Sequence, residues 1–332
     1  MSERLARVLS ERLSSGPKLV TSAQELLDTR RDAKTILFVD DTTLGDLDRT
    51  AVELGISVDQ LAPGPVIGIC DEPLQTAVGW LAHPWLSHVV SATMLQHPMS
   101  AEHLSNVLST IISGERPRLL DWLGKTVAGR RVRLAQASRR VVRLERMAEY
   151  FEGRGVGART IQQLRDVAEE LLTNAFYDAP VSAGLLQQPI SRTQDVSLPD
   201  DSACDMVYGC RDDLAIVRVR DPFGSLSRSR LVEVLARCSR TDMGVEVDET
   251  MGGAGLGLWR IFSTASFVAV SVVDHRYTEF LVGIGKRVAS AQRPYAFHLF
   301  FRTHGKTIRR WKLIDPDTST STVNSSVTLA TK

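Results

Sequence analysis

Apolar and polar positions alternate in two different rhythms along this chain. Up to residue 113, short apolar runs are separated by stretches of helical spacing. The runs at 6–10, 18–20, 35–40, 66–70 and 88–91 read as strands, and 22–31, 44–54, 73–82 and 101–112 read as helices. That alternation predicts a parallel sheet with covering helices. Ligand sites in such sheets lie at the carboxyl ends of strands, and Asp40 ends the third of them.

Residues 117–151 carry a different pattern. Leu120, Leu123, Val127, Leu134, Ala137, Val141, Leu144, Ala148 and Phe151 follow steps of three and four, broken once at Arg130. The spacing predicts a long helix and a coiled-coil dimerisation stem over 115–155, so a homodimer is expected through 117–151. The plainer alternative is one long helix packed on its own domains. Pro117 suits a first helical turn, and Gly153, Gly155 and Gly157 end the run. Arg130, Arg131, Arg133, Arg139, Arg140, Arg143 and Arg146 make this stretch basic. A solvated flank is the favoured reading, and contact with nucleic acid or an acidic partner the less favoured one.

A second α/β unit is expected over 156–304. It opens with a helix at 160–177, then a polar loop, a strand pair near 205–220 and a helix at 226–238. A glycine-rich turn, another helix and a hairpin over 267–286 follow, and a last strand at 296–302 is placed on the sheet edge. Serine and threonine dominate from residue 315 onward, so 305–332 reads as a disordered tail. The fold class is therefore α/β: a parallel α/β domain over 1–114, a stem, and a sandwich with a mixed sheet.

Bulk properties narrow the class without choosing a function. A length of 332 residues suggests about two domains. Lysine and arginine number 40 against 39 acids, so overall charge points to neither nucleic acid nor membrane. Cys70, Cys204, Cys210 and Cys238 form no metal-ligand spacing and suggest reduced thiols. No apolar run approaches the about 20 residues of a membrane helix. The expectation is a cytoplasmic protein without membrane contact.

Three segments carry candidate chemistry. On the helix at 160–177, Glu170, Asn174 and Asp178 step by four along one edge of an apolar face. The Asn174 amide oxygen can bind a hard cation such as magnesium, and the Glu170 carboxylate can deprotonate a nucleophile. An ordinary amphipathic boundary is the bland reading. Next, a strand ending at Asp221, followed by Pro222, Phe223 and Gly224, presents a carboxylate able to accept from an exocyclic amine such as that of adenine. The alternative is a plain Asp-Pro turn. Last, Gly252, Gly253, Gly255 and Gly257 run into an apolar helix. Glycine lets backbone approach a ligand, and a helix N-terminus suits phosphate.

In this order the segments resemble the ATP-binding domain shared by gyrase, the heat-shock chaperone, histidine kinases and the mismatch-repair ATPase, the GHKL superfamily. Glu170-Leu-Leu-Thr-Asn174 is similar to the family's N-box, which implies Asn174 at the magnesium position. The spacing from Glu170 to Asn174 also resembles the anti-sigma serine kinases, which implies Glu170 as general base. Asp221 to Gly224 resembles the G1 box, with Asp221 at the adenine position, although the usual glycines two and four after the aspartate are replaced here by Pro222, Phe223 and a glycine at three. The segment Gly253-Ala-Gly255-Leu256-Gly257-Leu258 resembles the G2 box, with 240–251 as the ATP lid. Thr278 would supply a late adenine or phosphate contact, and Asp178 would line the same pocket. The cofactors implied are ATP and magnesium.

Residues 1–114 resemble a response-regulator receiver in strand order and length, with Asp40 as the possible phospho-acceptor. Ser10 and Glu11 replace the acidic pair, and Ser91 and Ala92 stand where a lysine belongs, so a degenerate receiver used for protein contact is expected. None of the seven histidines lies in 117–151, which argues against conventional histidine autokinase activity. The expected function is a signalling protein that binds ATP and magnesium and phosphorylates a serine or threonine of a partner protein. The alternative is a non-catalytic ATP-dependent switch.

Overall fold

The computed structural model describes residues 36–62, 64–96, 100–124, 129–186, 191–211, 214–239, 255–285 and 294–303, together with Glu25. The strands expected at 6–10 and 18–20, the lid at 240–251 and the tail at 305–332 lie outside them. So does the helix at 22–31, apart from Glu25. The protein is mixed α/β, as expected.

Strands β1 (Leu37–Val39), β2 (Val66–Cys70) and β3 (Leu86–Ser91) pair in parallel. Their connections carry α1 (Asp41–Leu54), α2 (Val58–Leu61) and α3 (Leu74–Trp80), and α4 (Ala92–Gln96) and α5 (Ser100–Ser113) follow. Further along, α6 (Leu119–Leu123), β4 (Arg130–Leu134), α7 (Arg140–Glu152) and α8 (Ala158–Thr173) precede α9 (Ala179–Ser182). Then come β5 (Cys204–Arg211), β6 (Leu214–Asp221), α10 (Arg228–Ser239) and α11 (Leu256–Thr264). A hairpin of β7 (Phe267–Val273) and β8 (Tyr277–Gly285) leads to β9 (Ala296–Arg302).

All nine described strands belong to one sheet, in the order β1-β2-β3-β9-β7-β8-β6-β5-β4. The final strand is therefore no edge, contrary to expectation. β9 runs antiparallel to β3 and parallel to β7, and so joins the parallel half to the antiparallel half. Its sequence explains the position: Ala296, Phe297, His298, Leu299 and Phe300 are consecutive and buried, so both faces need cover. Helices supply it. On one face α1, α2, α3, α7, α8, α10 and α11 pack in a single apolar cluster. On the other, α4, α5 and α6 cover β2, β3, β6, β7, β8 and β9, with Trp122 stacked on Phe267 at 4.3 Å.

The continuous helix expected over 117–151 is absent. In its place stand α6, the strand β4 and α7. Gly124, at φ 82°, and Gly129 interrupt the stretch, and glycine costs about 1 kcal/mol inside a helix relative to alanine. Between them and α7, Leu134 turns inward while Arg131 and Arg133 stay exposed, and β4 pairs antiparallel with β5. The apolar positions of the supposed seam serve separate contacts: Leu123 lies in one core, Leu134, Leu144 and Phe151 in the other, and Val141 remains exposed. The coiled-coil dimer thus loses its structural basis.

Three histidines gather where β9 meets β3 and α5. His103 and His298 bond through their Nε2 atoms at 2.9 Å, and the His88 ring lies 5.5 Å from that of His298. Burial lowers His88 and His103 to about 3 and His298 well below its ordinary value. A depressed histidine contributes stability above its unfolded value near 6.5, and that stability is lost as pH falls. Buried acids such as Asp221, raised to about 6, slope the other way, so the difference between a variant and its parent is the informative quantity. Going from about pH 7 to about pH 5, the parent should lose about 2 kcal/mol more than His88→Phe in urea unfolding. Equal losses would mean that His88 is not held neutral by burial.

Candidate functional site

Helix α8 buries Leu164, Val167, Ala168, Leu171 and Leu172 along one stripe, which fixes its rotation on the sheet. Glu170 falls at the margin of that stripe, half-buried, and faces α11. The regular helix ends at Thr173, earlier than expected, and Asn174 to Asp178 form a π turn. Pro180 gives the reason: it has no N–H to donate, and its ring crowds the carbonyl four residues back, that of Phe176. Widened turns of this kind are frequent at functional sites. Asn174 and Asp178 are carried on this turn, and the Asn174 amide makes no hydrogen bond among the described residues.

The glycine turn meets α8 at close quarters. A Cβ on Gly257 would collide with the Glu170 carboxyl, and Gly255 has φ 78° and sits against Val234 of α10. Leu256 and Leu258 begin α11, Leu256 largely exposed and Leu258 packed against the core. Gly252 and Gly253 lie outside the described residues.

The third segment closes the group from the sheet side. Asp221, at the end of β6, is directly opposite Thr278 of β8. Asp221 Oδ1 accepts from Phe223 N at 2.9 Å, an Asx-type turn. Gly224, at φ 61°, has its backbone pressed against the 273–277 turn, and His275 N donates to its carbonyl at 3.3 Å. Gly224 thus serves this packing. Phe223 is buried. Ser225 Oγ donates to Ala179 O at 3.3 Å, tying this turn to the end of the π turn.

Burial dominates the electrostatics. It raises Glu170, with Arg192 pulling down and Asp178 and Glu169 adding to the rise. Crowding raises Asp178 as well, opposed by Arg192 at 3.6 Å, although the Asp178 side chain stays 49% exposed. Burial holds Asp221 at about 6, against amides of Phe223, Gly224 and Thr278. The Thr278 hydroxyl also draws Asp221 down, yet it forms no hydrogen bond of good geometry. A buried hydroxyl with bonding capacity to spare, beside a buried carboxyl, fits a ligand that carries both a donor and an acceptor. Glu170, Asn174 and Asp178 present oxygen donors of the kind magnesium takes beside phosphate.

Asp40 stands apart from this group. It caps α1, its Oδ1 accepting from Thr43 N at 3.0 Å and Thr43 Oγ1 at 2.7 Å, bonds that lower its pKa. At the expected lysine position, Ser91 Oγ accepts from Met94 N and Tyr295 N, each at 3.0 Å. That end of the parallel strands is thus occupied by joints of the fold.

Two residues escaped the sequence reading. Arg192 lies in a loop with no periodic signal. Arg260, one turn beyond Gly257, also lowers Glu170 and pairs with Asp166 of α8, and its helical spacing offered a clue. No protein-family model matches the chain, and the search of curated proteins finds no match.

Gly257→Ala should cost about 2 kcal/mol despite alanine's better helix propensity, because the new methyl has no space. Adding Glu170→Ala should restore most of that loss, a coupling of about 1 kcal/mol or more in a denaturation cycle. Additive effects would show that the two residues do not touch.

Proposed function

We propose that Glu170, Asn174, Asp178, Asp221, Thr278 and the 252–258 turn form a GHKL-type ATP site, and that the protein phosphorylates a serine or threonine of a partner. The observation that carries this reading is the contact of Gly257 with Glu170, which brings the glycine turn onto the polar edge of α8. The Asp221–Thr278 pair supports it from the sheet side. In this mechanism Asp221 accepts from the exocyclic amine of the base, and the spare Thr278 hydroxyl donates to a ring nitrogen. The amides that open α11 bind phosphate oxygens. Asn174 would hold magnesium, which supplies charge neutralisation on the phosphates. Glu170 takes the proton from the incoming hydroxyl, and its raised pKa makes it a stronger base than an exposed carboxylate. Arg192 and Arg260 keep enough of it ionised to do so. A cytoplasmic setting belongs to the same proposal, on the strength of four unpaired cysteines; no described helix is long and apolar enough to cross a membrane.

One observation favours a second reading, a nucleotide-driven switch without phosphoryl transfer. Arg228, at the start of α10, donates to the carbonyls of Leu81, His83 and Leu86 at 2.8, 2.8 and 2.9 Å. The helix that precedes 240–251 is thereby fastened to the end of α3, so a change near the nucleotide would reach the parallel half.

Calorimetric titration with ATP and magnesium tests the shared premise. Asp221→Asn should weaken binding about tenfold or more, as loss of a charged acceptor does. Affinity of the parent should fall as pH drops below about 6, where Asp221 takes up its proton. Binding indifferent to both would remove Asp221 from the site. Labelled ATP offered with candidate partner proteins separates the two readings. Transfer abolished by Glu170→Gln supports the kinase, transfer undiminished in Glu170→Gln removes Glu170 as base, and nucleotide binding without any transfer supports the switch.

A further inference from the structure

We propose that the outer edge of β4, with the arginine-lined groove at its end, docks an extended acidic segment of a partner protein. β4 terminates the sheet, and no described strand pairs with its outer edge. Such an edge is a template for one further strand. Beyond Leu134, which faces Cys204, the chain changes register, and Gln136 bridges Ser197 instead. Leu198 N donates to Ala135 O at 2.7 Å and Ala137 N to Val196 O at 2.8 Å. The residues between Leu198 and Cys204 loop out there and leave a groove lined by Arg133, Gln136, Arg139, Arg143, Ser197 and Asp200.

Charge chooses the occupant. Residues 130–146 hold seven arginines and a single acid, Glu145, in a chain whose totals are 40 and 39. Some of these arginines are satisfied: Arg131 pairs with Asp205 at 2.7 Å and Arg140 with Glu169 at 3.5 Å. Arg130, Arg139, Arg143 and Arg146 have no carboxylate partner among the described residues. They also lie close together. Burial pushes the Tyr208 phenol of β5 up, and Arg130, Arg143 and Arg146 together pull it back.

A second copy docked edge to edge would crowd the arginines of two β4 strands together, which like-charge repulsion disfavours. Nucleic acid would neutralise the guanidiniums but leave the N–H and C=O groups of β4 unmatched. An acidic strand satisfies both the backbone and the charges. This inference does not depend on the nucleotide site.

Fluorescence anisotropy on the full chain tests it, with a short labelled peptide of alternating Glu and Val as the probe. The peptide should bind at low salt and weaken as salt rises. Arg143→Glu combined with Arg146→Glu should reduce affinity about tenfold or more, with the thermal melt as a check on folding. A twin peptide N-methylated at alternate residues cannot complete the backbone ladder and should not bind to the parent protein. Equal binding of the N-methylated twin would overturn the edge, with no variant needed. Tighter binding of a DNA duplex of matched charge, or no peptide binding at low salt, would overturn the occupant.

Discussion

The structure depends on β9 being paired on both sides and covered on both faces. It has β7 on one edge over Phe297–Arg302 and β3 on the other over Ala296–His298, so the first part of the strand is bonded on both sides. That demand removes the independence of the two halves. Helices α5 and α6, which follow the parallel strands in sequence, cover β6, β7 and β8 of the antiparallel half. Arg116 from the segment after α5 reaches the buried Glu279 of β8 at 2.9 Å, and Arg302 of β9 reaches Glu115 O at 2.7 Å. Each half supplies part of the other's core.

The same continuity explains how the candidate site is held. Arg228 and α10 lean on the end of α3, Val234 of α10 seats Gly255, and Gly257 touches Glu170. These contacts run without a gap from the parallel strands to the proposed base. Glycine is needed at 255 because its φ is positive and Val234 leaves no room, and at 257 because the Glu170 carboxyl fills the space. Burying Glu170 and Asp221 costs stability, since each has its pKa raised. A fold governed by stability alone would put apolar groups there, and the retained carboxyls accord with the chemistry proposed for them.

Much of this was legible in the sequence because the signals were local. Strands at 66–70 and 296–302, the helix at 101–112 and the hairpin at 267–286 are set by apolar runs and turn residues, and the structure places them within about two residues. Two expectations failed for physical reasons that were also present. Steps of three and four over 117–151 mimic a heptad only if Gly124 and Gly129 are ignored, and Arg-Arg-Val-Arg-Leu at 130–134 alternates as a strand does. The run at 296–300 lacks the polar alternation of an edge strand, which itself pointed to the middle of the sheet. Other features had no local signal. The pairing of β9 with β3 spans about two hundred residues, and Arg192 enters the site from an aperiodic loop.

Near-neutral total charge conceals a division of labour. Acids that matter to the site are drawn inward, where burial raises their pKa and low polarity strengthens each contact. Most arginines of 130–146 are left outward, several without a carboxylate partner, whereas Arg140 turns in towards Glu169. With 40 basic and 39 acidic residues, the chain exerts little net attraction on a polyanion at long range. Selection of the proposed acidic partner would then act at contact distance, where the directional demands of an open strand edge add to the charge. Those demands make the end of the sheet, rather than its charge alone, the selective element.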